Sequence, residues 1–266
     1  MKTKFSWIFY CLVSLLLSQS LSAAERFVTN ESNGFVWIQQ GKAYPILVDS
    51  REDKGVVRAV ANLQTDAGKV TGITPEIIHS VAGNRMLIIG SIENSSWIKQ
   101  LLKAGKINAA DLQGKREKYI LQMVKQPMEG VDEAVVIAGS DKRGTIYGIY
   151  ELSQQMGVSP WYFWADVPVE KHDIISIKEG IYTDGEPAVK YRGIFLNDEW
   201  PCLGNWAGDT FGGFNSKFYE TVFELVLRLK GNFMWPAMWN SAFYDDDPMN
   251  GPLADEMGIV MGTSHH

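Results

Sequence analysis

The residues best suited to chemistry lie directly after three short apolar runs of the chain. These candidate site residues are Asn197, Asp198, Glu199, Trp239, Asn240, His265 and His266. Carboxylates can transfer protons, amides can both donate to and accept from sugar hydroxyls, and an indole ring offers a flat apolar face to a pyranose. The set is typical of a carbohydrate site in which Asp198 and Glu199 are the catalytic acids.

The elements that carry these residues alternate between strand and helix. Asn215 favours the start of a helix, apolar residues follow it at spacings of three and four, and Gly231 favours its end. Apolar runs of this kind predict strands buried on both faces, and right-handed connections place the carboxyl ends of successive parallel strands on one rim. The predicted elements are strands over residues 191–196, 232–236 and 259–261 and helices over residues 216–230 and 252–257.

The residues before this series show mixed strand and helix patterns. We predict that residues 25–170 form a compact α/β domain with helices packed on a mixed sheet. The aromatic segment 159–168 is expected to pack against the part of the chain that follows it. Residues 171–189, which are richer in charge and glycine, are expected to be a linker.

The first 24 residues have the pattern of a cleavable secretory signal peptide. Lys2 and Lys4 are basic, residues 5–17 are apolar, and small residues end at Ala24. The mature chain is therefore expected to begin at about Glu25 and to be secreted or periplasmic. The apolar run has 13 residues, whereas a spanning helix needs about 20, so no membrane span is expected.

The composition argues against a nucleic-acid partner. The net charge is −6, from 25 basic and 31 acidic residues, whereas a phosphate-binding surface normally has a basic excess. The loop 139–145 lacks the Gly-Lys-Ser/Thr ending of a phosphate loop, and Asp245–Asp247 with Glu256 match a calcium loop incompletely. No cofactor and no metal are expected.

Three segments carry a resemblance to a known family: KYRGIFLNDEWPCLGNWA, LKGNFMWPAMWNSAFYDDDP and ADEMGIVMGTSHH. Through them, residues 190–266 resemble glycoside hydrolase family 115, the α-glucuronidases that release glucuronic or 4-O-methylglucuronic acid from xylan. Residues 139–169 resemble the N-terminal domain of that family. The resemblance implies a small α/β domain, then the first three βα units of a (β/α)8 barrel, and hydrolysis of an α-1,2 linkage with inversion.

The resemblance also implies roles for the candidate residues. Asn197, Asp198 and Glu199 would lie in the active-site pocket, Trp239 and Asn240 would line it, and the pair His265–His266 would contribute a histidine. The expected substrate is glucuronoxylan.

The barrel region is short for the family. A closed barrel needs about 200 residues or more, and 77 residues run from Lys190 to His266. The chain is therefore expected to be an inactive fragment whose partner is the missing C-terminal part of the same polypeptide. Two alternatives stay open: a carbohydrate-binding protein without catalysis, and an exo-glycosidase resembling hexosaminidases.

Overall fold

The structure is a computed structural model that describes residues 26–264. The predicted signal peptide and the pair His265–His266 lie outside the described residues. The strands are β1 (Val28–Thr29), β2 (Phe35–Gln39), β3 (Lys42–Ala43), β4 (Ile46–Val48), β5 (Ile77–Ile78), β6 (Arg85–Ser91), β7 (Tyr119–Met128), β8 (Val131–Gly139), β9 (Ile174–Ile177), β10 (Ile181–Tyr182), β11 (Gly193–Leu196), β12 (Phe233–Pro236) and β13 (Val260–Met261). The helices are α1 (Lys54–Thr71), α2 (Ser96–Lys103), α3 (Lys142–Gln155), α4 (Cys202–Phe211), α5 (Ser216–Arg228), α6 (Phe243–Asp246) and α7 (Asn250–Met257), with a 3-10 turn at Ala109–Asp111.

The central sheet has six strands in the order β10-β7-β8-β6-β4-β5. Strands β8, β6, β4 and β5 are parallel, and β7 joins β8 as an antiparallel hairpin. Helix α2 packs on one face, and α1 and α3 pack on the other. The inner strands are buried apolar runs because both faces are covered. This arrangement confirms the predicted mixed α/β fold.

Helix α1 shows how the sequence sets an element of this fold. The carboxylate of Asp53 accepts a hydrogen bond from Gly55 N at 2.9 Å and caps the start. Gly72 ends the helix in the left-handed conformation, with a φ of 75°. Between the caps, Val56, Val60 and Leu63 recur at helical spacing and are fully buried.

Residues 171–189 are not a linker, so that prediction was wrong. Strand β9 pairs antiparallel with both β1 and β2 in a second sheet of order β1-β9-β2-β3, and β10 pairs with β7 as an edge strand of the central sheet. Ile175 and Ile177 of β9 are fully buried. The strand was not predicted because its apolar run is short and is flanked by charged residues and glycines.

Strands β11, β12 and β13 form a separate parallel sheet in that order. Helix α5 connects the first two and begins at the predicted cap Asn215, whose side chain accepts from Phe218 N at 3.2 Å. The sheet is not buried on both faces as predicted, since Phe195 and Trp235 are 55% and 41% exposed. Trp235 donates to the Ser264 hydroxyl, but residues 26–264 leave both rings largely exposed.

The second part of the chain rests on the first through α5. Its Arg228 is buried and donates to Asp66 of α1 at 2.8 Å and to Glu224 at 2.7 Å. The predicted aromatic segment also contacts this helix, because Trp164 Nε1 donates to Thr221 O at 3.1 Å. Within residues 26–264, no helix has the length and apolar character needed to cross a membrane.

Glu117 joins the α/β part to the start of two strands of the parallel sheet. Its side chain is almost fully buried. It accepts from Arg143 Nε at 2.6 Å, from Asn232 Nδ2 at 2.8 Å and from an Arg192 guanidinium nitrogen at 2.6 Å. Arg192 directly precedes β11 and Asn232 directly precedes β12. One carboxylate therefore fixes the amino-terminal ends of both strands.

These contacts set the charge state of Glu117. Burial raises the pKa of a carboxyl group, but hydrogen bonds from Asn232 and Arg192 and the charge of Arg143 outweigh it, so the pKa of Glu117 is lowered from its ordinary value of 4.5. A lowered folded-state pKa stabilises the fold above pH 4.5. That contribution is lost as the pH falls through the lowered value.

We expect Glu117→Gln to lower the free energy of unfolding by about 3 kcal/mol at pH 7, because two partly buried guanidinium groups lose their charged partner. The variant should also lose less stability than the wild type between pH 5 and pH 3, since it lacks the titrating group. Urea unfolding across this pH range measures both effects. Glu179→Gln, at an exposed ion pair of 3.9 Å with Lys125, is the control and should behave as the wild type. Parallel pH curves for Glu117→Gln and the wild type would contradict the assignment.

Candidate active site

The carboxyl ends of β11 and β12 lie side by side. Leu196 pairs with Pro236, and Ala237 N donates to Leu196 O at 2.9 Å. The ladder continues toward β13, because Gly262 N donates to Met234 O at 2.9 Å. This edge, which we name the rim, carries the described candidate residues Asn197, Asp198, Glu199, Trp239 and Asn240.

Asp198 is buried at the rim and has no exposed surface. Its Oδ1 accepts from Met238 N at 2.7 Å. Its Oδ2 accepts from the Ser241 hydroxyl at 2.8 Å and from the Tyr219 hydroxyl at 3.1 Å. The catalytic role predicted for Asp198 stays a prediction, and the burial of its carboxylate places it beneath the accessible surface of the site.

The loop after β12 has an uncommon backbone conformation on either side of Trp239. Met238 and Asn240 have φ values of 60° and 58°, in the left-handed region. Asparagine tolerates this region well, whereas the conformation costs about 1–2 kcal/mol at Met238. The hydrogen bond from Met238 N to Asp198 is charge-assisted and contributes about 1.5–3 kcal/mol, enough to hold the conformation.

Tyr219 lies on α5 below the rim and is fully buried. Its ring meets Phe243 edge-on at 4.7 Å between centroids and stacks on Phe223 at 5.9 Å. Burial and the charge of Asp198 raise the pKa of Tyr219, so its hydroxyl stays protonated and donates. Helix α5 thus places a hydroxyl group that always donates a hydrogen bond to the Asp198 carboxylate.

Glu199 is the accessible acid of the pair. Its side chain is half-buried, unlike that of Asp198. Its carbonyl oxygen accepts from Gly204 N at 2.8 Å, which ties the backbone to the start of α4. Asn197, Trp239 and Asn240 are exposed at the same rim. A carboxylate that reaches solvent beside amides and an indole can exchange a proton with a sugar oxygen.

Helix α4 was not predicted, since Pro201, Gly204 and Gly208 lower helix propensity over its length. The indole of Trp200, the exposed residue that follows Glu199, packs against this helix. A Cβ atom at position 204 would lie 2.4 Å from Cδ2 of Trp200, so the indole packs directly on the glycine. Phe214 meets the same ring edge-on at 5.2 Å.

Sequence reasoning did not identify Tyr219 and Ser241. A signal existed for Tyr219, because a tyrosine on the apolar face of a predicted helix needs a partner for its hydroxyl. Ser241 gives no comparable signal. Among residues 26–264, no three His, Cys, Asp or Glu side chains are placed to hold a metal ion.

Comparisons with known proteins give matches over both parts of the chain. Residues 184–266 match the model of glycosyl hydrolase family 115, and residues 38–152 match that of the glycosyl hydrolase family 67 N-terminus. The structure of BtGH115A, described as a family GH115 4-O-methyl-α-glucuronidase with specificity for decorated arabinogalactans, is 33% identical with a TM-score of 0.75. The match covers 87% of this chain and 30% of BtGH115A.

The chain belongs to glycosyl hydrolase family 115. The predicted resemblance is thereby confirmed for the N-terminal part of a family 115 protein. No curated protein matches the chain significantly.

More distant structures share the fold of this family 115 chain. Two mutant structures of Streptomyces plicatus β-hexosaminidase with bound GlcNAc are 12% and 14% identical, with TM-scores of 0.51 and 0.52. Each match covers 87% of this chain and 43% of the hexosaminidase. At this identity the likeness shows the fold alone.

We expect Gly204→Ala to destabilise the protein by about 1–3 kcal/mol, because the new methyl group would overlap the Trp200 ring. Gly208→Ala, in the same helix, is the matched control. A Cβ atom at position 208 would meet no other atom within 4 Å, so the better helix propensity of alanine should add about 0.5–1 kcal/mol. Urea denaturation measures the change in the free energy of unfolding of each variant. Equal shifts of the same sign in the two variants would rule out the contact as the cause.

Proposed function

We propose that this family 115 chain is the N-terminal part of an inverting glycoside hydrolase that releases glucuronic or 4-O-methylglucuronic acid side chains from a plant polysaccharide. The observation that carries the proposal is the rim, which carries the accessible side chain of Glu199 together with four exposed side chains, those of Asn197, Trp200, Trp239 and Asn240. The described activity of BtGH115A supports the choice of sugar.

Each rim residue has a part in this proposal. Glu199 exchanges a proton at one side of the glycosidic bond. Asn197 and Asn240 hydrogen-bond to sugar hydroxyls, and Trp239 lies against the apolar face of the ring. Inversion needs a second carboxyl group about 6.5–9.5 Å away, on the opposite face of the sugar. His265 and His266 lie outside the described residues and remain predicted ligands of the sugar.

We also propose that the three-stranded sheet is the beginning of a (β/α)8 barrel. Its strands are parallel and consecutive, with helices α4 and α5 between the first two and α6 and α7 between the second and third, and such barrels likewise alternate strands with helices. The exposed rings of Phe195 and Trp235 lie on the face that would line a barrel interior. The exposed outer edge of β11 would pair with a further strand.

The polymer that carries the uronic acid has two candidates. The sequence resemblance points to glucuronoxylan, and BtGH115A is described as specific for decorated arabinogalactans. The uronic acid side chain is common to both, so the rim residues serve either polymer. We propose a secreted or periplasmic location, which suits a polymer substrate and rests on the predicted signal peptide.

We expect Glu199→Gln in the full-length protein to lower kcat by about 10²–10⁴-fold without unfolding it, because an amide cannot exchange the proton. Release of uronic acid from glucuronoxylan and from decorated arabinogalactan, measured separately, tests the activity and its polymer. Glu129→Gln, at the exposed turn between β7 and β8, is the control with wild-type activity. Release of N-acetylhexosamine with no uronic acid would instead favour a hexosaminidase, and a fully active Glu199→Gln would refute the catalytic role.

A further inference from the structure

We propose that Asp198 is a positioning residue that fixes the loop after β12, residues 237–241, and so aims Trp239 and Asn240 at the sugar. The hydroxyl groups of Tyr219 and Ser241 donate hydrogen bonds to the Asp198 carboxylate and hold it in place. The inference deepens the proposed function and rests on it, since it assigns how the sugar-facing side chains of the same site are held.

The burial of Asp198 separates its role from that of Glu199. Its side chain has no accessible surface and meets three donors from two different segments of the chain. Met238 N and the Ser241 hydroxyl come from the loop itself, and the Tyr219 hydroxyl comes from α5. A substrate oxygen could reach this carboxylate only after displacing one of these donors.

The loop depends on that carboxylate for its shape. Met238 adopts a left-handed conformation that a methionine rarely occupies. Asp198 accepts from the Met238 amide on one side of Trp239 and from the Ser241 hydroxyl on the other. The intervening Trp239 is 56% exposed. Two anchors, one on each side, therefore hold the backbone that carries its ring.

Tyr219 makes the anchor rigid. Its ring is enclosed by Phe218, Phe223 and Phe243, and its hydroxyl reaches Asp198 from below the sheet. The other acid near Tyr219 is Asp246, whose charge also disfavours loss of the phenolic proton. The side chain has neither the freedom nor the charge to act on a substrate.

The substitution Asp198→Asn distinguishes a positioning role of Asp198 from a role in proton transfer. Its amide oxygen can accept from Met238 N, and its amide nitrogen can donate to either hydroxyl, because hydroxyls also accept. Asp198→Asn should therefore keep kcat/KM within about tenfold of the wild type. A proton-transferring acid would instead lose about 10²–10⁴-fold on this substitution. Asp198→Ala removes every side-chain contact, although the carbonyl oxygen of residue 198 can still accept from the Ser241 hydroxyl, and it should raise KM for the polysaccharide while it lowers kcat.

The experiment combines steady-state kinetics on the full-length protein with amide hydrogen exchange. We expect faster exchange at Met238–Asn240 in Asp198→Ala and, to a smaller extent, in Tyr219→Phe, with wild-type protection in Asp198→Asn. The pH profile of kcat/KM should be unchanged in Tyr219→Phe. Asp173→Asn, an exposed acid distant from the rim, is the control for both measurements.

Two results would overturn the proposal. One is a loss of more than 100-fold in Asp198→Asn with intact amide protection, which would mean that Asp198 acts on the substrate directly. The other is unchanged exchange at residues 238–240 in Asp198→Ala. If the wild type releases no uronic acid, the proposed function fails, and the exchange data alone decide whether Asp198 holds the loop.

Discussion

A buried carboxylate needs hydrogen-bond donors to compensate its charge, and two such groups, Glu117 and Asp198, organise the three-stranded sheet of this chain. Glu117 binds the residues that precede β11 and β12, and Asp198 binds the loop beyond β12 from the end of β11. The paired strands are thus held at both ends by single side chains. The hydrogen bonds between the strands fix their register, and the carboxylates fix where their ends lie.

The α/β part acts as the platform for this arrangement. Helix α5 carries Arg228, which enters an ion pair with Asp66 of α1, and Tyr219, which supports the rim two turns earlier. The same helix therefore packs against the platform and supports the site. A hexosaminidase of 12% identity shares the fold, and a fold does not by itself determine function.

The sequence predicted the elements with a strong local signal. Asn215 and Gly231 bounded α5 to within two residues, and the strands after it began or ended within one residue of their predicted bounds. Helix α4 was not predicted because Gly204, which lowers helix propensity, is required for packing against Trp200, a tertiary contact that the local sequence does not show. The burial of Asp198 was equally invisible, because its donors lie 21, 40 and 43 residues away in the chain. Local sequence patterns do not show which residues so far apart in the chain come into contact.

The uncovered face of the parallel sheet also bears on how the polypeptide is made. Synthesis releases the α/β part from the ribosome first, and one apolar cluster, which includes Leu101 and Val136, lies wholly within it. Phe195 and Trp235 then emerge beside the unpaired backbone of an edge strand, a combination that templates aggregation. Exposed apolar surface of this kind on an incompletely folded chain is what chaperones shield, so these two rings mark the surface at risk during synthesis.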